Sequence, residues 1–446
     1  MRPSRTSALL ALYLLGFVLS GRGQSVTIIH QFPNTGINNP YGPPVQGRDG
    51  ELYSEVYFSG WGTVFKEETG GRASPLYVFS QTDGGGGTPE SPVLLAGDGN
   101  WYGTTADNIF HYGVLYRITP KGVFTQLYNF QGFQSGVPAG SLIEVDGKLY
   151  GITAGYKQDA AVYTYDASRS LKVIYQFTTS QFTSAGAALV QGADGNLYGG
   201  GTGSDGCGAV FKMTIFGQLL NIWSFDCSLN IGKVNAPLVE GNDGNFYGTA
   251  LAGYGSGAVF TISPQGVVSV LHKFGSTPTD GLTGIGLTMG TDGNLYGTTP
   301  SGGTHLAGTI YQISGTTYLQ LYSFLYAGPQ DPSGLIQHTD GKFFGFLEFT
   351  GHGGEGGFYS LDMGLGPFIS FSSPEGTQPG KTVQILGQGL TGSTSVTFNG
   401  VPAASFKVVT DTYMTAVIPS GATTGKIVVT TPGGTLTSNV NFRVIH

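Results

Sequence analysis

The most regular feature of the sequence is a short polar turn followed by an alternating apolar strand. The turn is an Asp-Gly pair and the strand begins with an apolar-aromatic pair, as in Asp292-Gly293-Asn294-Leu295-Tyr296-Gly297. Gly, helped by Asp, adopts the positive φ of a tight turn, so the motif predicts an antiparallel hairpin. Copies recur every 48 or 49 residues, anchored at Asp49, Asp98, Asp146, Asp194, Asp243, Asp292 and Asp340. This fixed period predicts a repeat fold.

Two further landmarks follow the turn in each repeat and predict two more strands. The first is a Gly-small-apolar-aromatic run such as Gly257-Ala258-Val259-Phe260, and the second is an aromatic pair such as Tyr322-Ser323-Phe324. With the apolar segment before the turn, for example Pro237-Leu238-Val239, each repeat contains four short strands. Four strands in this length are typical of a β-propeller blade, so we predict an all-β protein with a seven-bladed propeller.

The last repeat has no aromatic-pair strand of its own. The missing strand is found at the other end of the chain, where Ile29-His30-Gln31-Phe32 precedes the first repeat. We predict that this N-terminal strand completes the seventh blade beside Gly357 to Leu361, because an open blade edge would expose unpaired backbone groups. The predicted propeller spans residues 24–363.

The strand order assigns the connecting loops to the two ends of the propeller. The Asp-Gly turns and the last-hairpin turns, such as Ser263-Pro264-Gln265-Gly266, are short and uniform, and they share one end, which we call the turn face. The connections from second to third strand and from blade to blade differ in every repeat, and they share the other end, the variable face. Because ligand sites concentrate in variable loops on a rigid scaffold, we predict any ligand site there.

A different pattern begins after Met363-Gly364-Leu365-Gly366, which is predicted to be a linker. Short alternating strands with turn signals, such as Ser395-Val396-Thr397-Phe398-Asn399-Gly400 and Thr431-Pro432-Gly433-Gly434, predict a small β-sandwich over residues 364–446. These motifs closely resemble the TIG or IPT family of immunoglobulin-like domains. In secreted bacterial proteins the resemblance implies a spacer or contact module.

The repeat itself resembles the tandem repeat of the choice-of-anchor GloVer family of exported bacterial proteins. The resemblance rests on Asp-Gly-Asn-Leu-Tyr-Gly, Gly-Ala-Val-Phe and Leu-Tyr-Ser-Phe, and it extends over residues 26–361. It implies an exported propeller and assigns no activity to any residue. Relatives are expected to end in an anchoring segment, whereas this sequence ends at Phe442-Arg443-Val444-Ile445-His446, which favours free secretion.

Composition restricts the compartment and the partners. Only 11% of the 446 residues are charged and the net charge is −7, which disfavours a nucleic-acid partner because phosphates are bound by clustered Lys and Arg. Residues 1–23 resemble a signal peptide, with two Arg, an apolar run from Ala8 to Leu19 and small residues near Gly23. We predict a secreted or cell-envelope bacterial protein, extracellular or periplasmic, with no transmembrane segment in the mature chain.

The two cysteines agree with export. Cys207 and Cys227 each lie ten residues from Gly217, at the centre of a predicted hairpin. Equidistant positions face each other across a hairpin, so we predict a disulfide between them, as is common in oxidising compartments. The alternative is two buried free thiols.

Candidate catalytic and metal-binding residues are few. His111, His305 and His352 fall in variable-face connections of blades two, six and seven. They are candidates for a metal site, against the alternative of solvated loop histidines. The acids of that face are too scattered to nominate a catalytic carboxylate pair: Asp107, Asp159, Asp205, Glu348 and Glu355. The sequence contains no nucleophile elbow or phosphate-binding loop, so it predicts no catalytic residue and no cofactor.

Aromatic residues are the clearest indication of a ligand. Five of them lie in or beside the variable connections and are predicted to stack on sugar rings or on a protein partner: Trp61, Phe110, Tyr112, Tyr156 and Tyr254. The alternative is that they seal neighbouring blades. Trp101 and Trp223 occupy repeat landmarks and are predicted to pack inside the blades.

The sequence favours a non-enzymatic, exported recognition protein that binds a polysaccharide or an envelope protein through the variable face. One alternative is an extracellular hydrolase or lyase, lactonase-like, with a metal near the propeller axis. A second alternative is a structural envelope component without a saturable ligand.

Overall fold

The computed structural model of the protein is built almost entirely of β-strands. It describes residues 24–32, 37–40, 42–58, 61–80, 88–89, 91–106, 113–130, 137–154, 160–166, 170–185, 187–229, 231–252, 257–326, 328–350, 356–372 and 376–444. The predicted signal peptide lies outside these ranges. In the described part of the chain, no helix has the length and hydrophobicity that a membrane span requires.

The propeller strands are short, and a three-residue 3-10 helix (Cys227–Leu229) follows one of them. In chain order they are β1 (Ser25–Gln31), β2 (Ile37–Pro40), β3 (Val45–Gln46), β4 (Leu52–Phe58), β5 (Trp61–Glu67), β6 (Ala73–Val78), β7 (Thr88–Pro89), β8 (Leu94–Leu95), β9 (Trp101–Ala106), β10 (Val114–Ile118), β11 (Phe124–Asn129), β12 (Val137–Val145), β13 (Lys148–Ala154), β14 (Ala161–Tyr165), β15 (Leu171–Gln176), β16 (Phe182–Ala185), β17 (Val190–Gln191), β18 (Leu197–Gly203), β19 (Gly208–Met213), β20 (Leu219–Ser224), β21 (Ile231–Val234), β22 (Val239–Glu240), β23 (Phe246–Ala252), β24 (Ala258–Ile262), β25 (Val268–Lys273), β26 (Ile285–Met289), β27 (Leu295–Thr299), β28 (Leu306–Ser314), β29 (Thr317–Leu325), β30 (Pro329–Gln337), β31 (Phe343–Thr350) and β32 (Gly357–Asp362).

Antiparallel pairing joins these strands into seven blades. They are β2 to β6, β7 to β11, β12 to β15, β16 to β20, β21 to β25, β26 to β29, and β30 to β32 with β1. In four blades the innermost strand is broken into two short pieces that pair with the same neighbour. The prediction of a seven-bladed propeller with four-stranded blades is confirmed.

The N-terminal strand closes the ring as predicted. Ser25 lies opposite Asp362 and Gln31 opposite Gly357, so β1 forms the outer strand of blade 7. The ladder continues beyond the strand, where the Phe32 amide donates to the Gly356 carbonyl at 2.9 Å. This pairing covers the edge that β32 would otherwise expose.

In five repeats the Asp fixes both the turn and the strand after it. In the sixth repeat, Asp292 Oδ1 accepts the Asn294 amide at 3.2 Å and Oδ2 accepts the Tyr296 hydroxyl at 2.8 Å. The same tyrosine bond forms in the repeats of Asp49, Asp98, Asp194 and Asp243. The carboxylates of these repeats are therefore occupied by local hydrogen bonds, which explains why the motif recurs.

The Gly after this tyrosine makes room for the neighbouring strand. A Cβ atom at Gly297 would collide with the ring and hydroxyl of Tyr311 on β28. The aromatic residue of the first landmark, the Gly-small-apolar-aromatic run, therefore lies directly over this Gly. The turn motif and the first landmark are parts of one packing contact.

Hydrophobic clusters hold the blades together. Among the described residues, the propeller has seven buried clusters, and each joins two adjacent blades. The cluster between blades 7 and 1 combines Phe344, Phe346 and Phe358 with Leu52 and Phe65. Because every blade buries its faces against two neighbours, the ring is stable only when it is closed.

The C-terminal part forms a separate sandwich with its own core. Its strands are β33 (Ser370–Ser372), β34 (Gly376–Thr377), β35 (Thr382–Leu386), β36 (Ser395–Phe398), β37 (Val401–Pro402), β38 (Ser405–Thr410), β39 (Tyr413–Val417), β40 (Ile427–Thr431), β41 (Gly434–Thr437) and β42 (Arg443–Val444). They form the sheets β33-β35-β39-β38 and β37-β36-β40-β41, with β34 parallel to β42. Val383, Phe398, Met414 and Phe442 are buried between them.

Candidate functional site

The sandwich packs against the turn face of the propeller. The Arg48 side chain donates to the carbonyl of Gly97 at 3.0 Å and to Gln384 Oε1 of the sandwich. Its guanidinium lies 4.8 Å from the centre of the Tyr413 ring. The Arg48 carbonyl accepts the Thr412 hydroxyl at 2.7 Å. Arg48 therefore joins blades 1 and 2 to both β35 and β39.

Further contacts extend this interface around the ring. Gln388 Nε2 donates to Thr339 Oγ1 of blade 7 at 3.1 Å, and Arg443 donates to the Gly192 carbonyl of blade 4 at 3.1 Å. The linker also takes part, because Met363 and Leu365 pack against the cluster between blades 6 and 7. The sandwich is thus docked on the propeller rather than held away from it by a free linker.

Two adjoining cavities lie along the propeller axis and share lining residues. The upper one, of about 380 Å³, is lined by small residues of the innermost strands, such as Gly42, Ser91 and Ala188. The lower one, of about 440 Å³, shares Pro44 and Ile336 with the upper one. Sandwich residues form its floor: Ser370, Phe371, Leu386 and Asn439. The sandwich therefore closes the axis at the turn face.

A lysine lies at the variable-face end of the innermost strands. Lys233 on β21 is half-buried, and its Nζ lies 3.4 Å from Ser184 Oγ on the innermost strand of blade 4. Burial lowers the pKa of Lys233. Asn235, two residues further along the same segment, lines the upper cavity. Among the described residues, Lys233 forms no ion pair.

The predicted site residues of the variable face fall mostly outside the described residues. This applies to Phe110, Tyr112, Tyr156, Tyr254, His111 and His352. Trp61 is the first residue of β5, at the variable-face end of blade 1, and only its backbone is described. His305 is exposed, and its amide donates to Ser323 Oγ at 3.1 Å. The predicted binding site and the predicted metal site remain predictions.

The described part of the variable face has an exposed apolar group at blade 6. Leu306 is 69% exposed and Tyr326 is 67% exposed, and Leu325, the strand neighbour of Leu306, is 49% exposed. Leu306 also has a φ of 63°, a left-handed conformation that costs energy for a branched residue. The strained backbone of Leu306, next to two other exposed apolar side chains, favours a contact role for this surface.

A pair of acids at the variable-face end of blade 7 escaped the sequence analysis. Gln330 lies opposite Phe349 and Pro332 opposite Leu347, so Asp331 and Glu348 face each other between them. Burial, together with the charge of Asp331, raises the pKa of Glu348 to about 7. The sequence analysis named Glu348 among the scattered acids of the variable face but did not name Asp331. Asp331 was missed because it belongs to the innermost strand rather than to a loop.

Another polar group lies between blades 5 and 6. Asp280 Oδ2 is 2.8 Å from His272 Nε2 and accepts the Ser276 hydroxyl at 3.2 Å. In a Ser-His-Asp triad the histidine lies between the serine and the acid. Here Asp280 contacts both, so the arrangement does not activate Ser276. It instead holds the connection between the two blades in place.

Two buried glutamates of blade 1 also went unnoticed in the sequence. Burial raises the pKa of Glu55 well above its usual value, and Glu55 accepts the Tyr116 hydroxyl of blade 2. Burial, with repulsion from Glu68 and Glu51, raises the pKa of Glu67 to about 8. Both carboxylate oxygens of Glu67 are buried without a hydrogen-bond partner. Comparing repeats would reveal Glu67, because other blades have Ile118, Tyr165, Met213, Ile262, Ile313 or Leu361 at this position.

The predicted disulfide is confirmed. Cys207 and Cys227 are bonded, with 5.5 Å between their Cα atoms. Cys227 belongs to the 3-10 helix beyond β20, so the bond closes the variable-face end of the hairpin outside its ladder. In the described part of the chain, the one group of three potential metal ligands is Asp205 with these two cysteines. The disulfide leaves those sulfurs unsuitable as thiolate ligands.

Comparison with solved structures shows a shared propeller fold. The chain is 13% identical to an oligogalacturonate lyase from Vibrio parahaemolyticus, with a TM-score of 0.51 and coverage of 78% of this chain and 95% of that one. It is 10% identical to the extracellular domain of a putative hybrid two-component system from Bacteroides thetaiotaomicron, with a TM-score of 0.52. That match covers 80% of this chain and 46% of the other. At these identities the likeness concerns the fold alone.

Comparison with sequence families is more specific. No curated protein matches the sequence. The profile of the Gloeobacter/Verrucomicrobia repeat matches residues 15–202 and 200–403, and the profile of the IPT/TIG domain matches residues 367–444. The protein therefore belongs to the Gloeobacter/Verrucomicrobia repeat family and carries a C-terminal IPT/TIG domain.

Proposed function

We propose that the protein is an exported recognition protein that binds a polysaccharide or an envelope protein through the variable face of its propeller. The observation that carries this proposal is the docking of the sandwich on the turn face. Arg48 and Arg443 bind that domain to the turns of blades 1, 2 and 4, and Phe371 helps to close the axis there. Because the sandwich docks on the opposite end of the propeller, we expect a partner at the variable face.

The chemistry of the variable face supports a binding role. Leu306, Leu325 and Tyr326 form an exposed apolar group without a lysine or arginine among them. Trp61 begins β5 at the same end of the propeller, and the loop with Tyr254 belongs to blade 5, beside blade 6. Aromatic faces stack on sugar rings and also dominate protein interfaces. The disulfide and the bacterial repeat are consistent with an extracellular or envelope protein.

Binding to a glycan array and to immobilised envelope extract tests this proposal. The double variant Trp61→Ala/Tyr254→Ala should bind at least about tenfold more weakly than the mature protein, because each ring contributes on the order of 1 kcal/mol or more. Phe216→Ala is the matched control, since Phe216 is 85% exposed in a last-hairpin turn on the turn face. It should bind normally.

Two results would oppose the proposal. Unchanged binding by the double variant would remove Trp61 and Tyr254 from the site. A complete lack of saturable binding by the mature protein would favour a structural role in the envelope.

A second candidate is an extracellular hydrolase or lyase that uses the acid pair of blade 7. Two facing carboxyl groups, of which Glu348 has a pKa near 7, meet the requirement for a general acid and a general base. This candidate predicts turnover of a bound glycan or ester that Glu348→Gln abolishes while binding persists. Binding without turnover in the parent protein would exclude it for that ligand.

A further inference from the structure

The wall of the axial cavities is built from one repeat position. The fourth residue before the Asp, or the third in blade 3, is Val45, Leu94, Ile143, Val190, Val239, Thr288 and Ile336 in the seven blades. All seven side chains are half-buried although they belong to the innermost strands. They retain exposed surface because they border the cavities on the axis and at its turn-face end. The repeat thus produces a ring of six aliphatic side chains and Thr288 around the axis, which we call the aliphatic ring.

The lining of the two axial cavities contains one charged residue, a glutamate that is already hydrogen-bonded within the protein. Of the residues that line the two axial cavities, Glu144 is the charged one, and its Oε2 accepts the Gly97 amide at 2.6 Å. Phe371 and Leu386 of the sandwich add apolar surface at the floor. A mostly apolar cavity of this size is typical of small-molecule sites. A charged or strongly hydrated ligand group would be poorly solvated inside it.

A cation lies beyond the variable-face end of the upper cavity, whose lining includes Asn235, two residues after Lys233. Lys233 is half-buried there, forms no ion pair among the described residues, and has Ser184 Oγ as its hydrogen-bond partner. A half-buried ammonium group without a carboxylate neighbour attracts an anionic ligand group. An aliphatic wall with a cation near one end fits an amphiphilic ligand, which has a hydrocarbon chain and an anionic head group.

We propose that the axial cavities bind the hydrocarbon chain of a carboxylate ligand, which enters from the variable face and places its carboxylate on Lys233. The hydrocarbon chain of the ligand contacts the aliphatic ring and ends at the floor that the sandwich provides. Lys233 turns from Ser184 toward the ligand, and the Ser184 hydroxyl, which donates to the Ala185 carbonyl at 3.3 Å, donates to the carboxylate instead. This binding goes beyond the recognition role proposed above, because it uses the axis rather than the loop aromatics.

Calorimetric titration with decanoate and decan-1-ol tests the proposal. Decanoate should bind the mature protein with a stoichiometry of one. Val239→Phe, which fills the cavity at a half-buried position, should weaken both compounds at least about tenfold. Lys233→Met should weaken decanoate about tenfold, as expected for a lost charge-assisted bond, and leave decan-1-ol unchanged.

Lys121→Met is the matched control, because Lys121 is exposed in a turn on the turn face. It should bind both compounds normally. Absence of decanoate binding to the mature protein, or equal decanoate affinity in Lys233→Met, would overturn the proposal. Thermal unfolding of each variant shows whether a loss of binding reflects a loss of folding. The glycan experiment uses other variants, so either proposal can fail alone.

Discussion

The two faces of the propeller differ in the hydrogen bonds that their polar side chains make within the protein. On the turn face, Asp292 accepts hydrogen bonds from Asn294 and Tyr296, and four other repeats have the same geometry. On the variable face, the acid pair of blade 7 and Lys233 have no such repeated partners. A uniform face offers a regular platform on which a rigid domain can dock. The face with differing loops retains groups that can contact a ligand.

The largest expected effect concerns β1, the strand that closes the ring and on which both faces therefore depend. Thr27→Pro should prevent folding of the mature protein, because Thr27 pairs with Ser360 in the middle of the β1–β32 ladder and proline removes a ladder donor. Thr27→Ser is the control and should fold. Circular dichroism and size-exclusion chromatography report the outcome. A compact, cooperatively unfolding Thr27→Pro protein would show that the ring does not need this strand.

A smaller effect is expected at the turn face. Arg48→Ala removes hydrogen bonds to Gly97 and Gln384 and the contact with Tyr413. The free energy of unfolding should fall by about 2–3 kcal/mol, and protease should cut the linker near Leu365 faster. Arg72→Ala, at an exposed position of blade 1, should behave like the parent protein. Equal protease resistance of both variants would contradict the role of Arg48.

The smallest effect is a change in pH dependence. Glu67 has a pKa of about 8 in the folded protein and near 4.3 when unfolded. Its protonated form therefore supports stability fully below about pH 4, and that contribution is lost as the pH rises through 8. Glu67→Gln, which stays neutral, should be more stable than the parent by about 1–3 kcal/mol at pH 8.

At pH 4 that variant and the parent should have similar stability. Asp146→Asn, which removes an exposed carboxylate from the turn of blade 3, is the control and should show no comparable change between the two pH values. Chemical denaturation across this pH range gives the comparison. A constant difference between Glu67→Gln and the parent at all pH values would mean that Glu67 is ionised in the fold.

The sequence predicted the features that repeat. The blades, their number, the closing strand and the disulfide followed from local patterns, because Asp292 and Tyr296 interact within one turn and the period copies that contact. Glu67 could also have been found by comparing its position with Ile118 and Met213. Such an acid interrupts an otherwise apolar column.

The sequence did not predict the features that occur once. Arg48 and Gln384 are 336 positions apart, and no pattern in either segment indicates that the two residues meet. The sandwich was expected to act as a spacer or contact module, and the docking was missed because single long-range contacts leave no period. For the same reason, Asp331 was not recognised as the partner of Glu348. Unique contacts depend on the tertiary fold, which places distant residues side by side.

Disulfide cross-linking is the most direct test of the unequal faces. A Cβ atom at Gly50 would lie 3.3 Å from Cβ of Thr412 in the sandwich, close to the spacing found in disulfides. By contrast, the equivalent Gly293 of blade 6 has open space before it and a similar φ of 80°. Under mild oxidation, Gly50→Cys/Thr412→Cys should form the new bond in most molecules, while Gly293→Cys/Thr412→Cys should keep free thiols. Mass spectrometry that finds both pairs equally unlinked would contradict the docked sandwich and the closed axis.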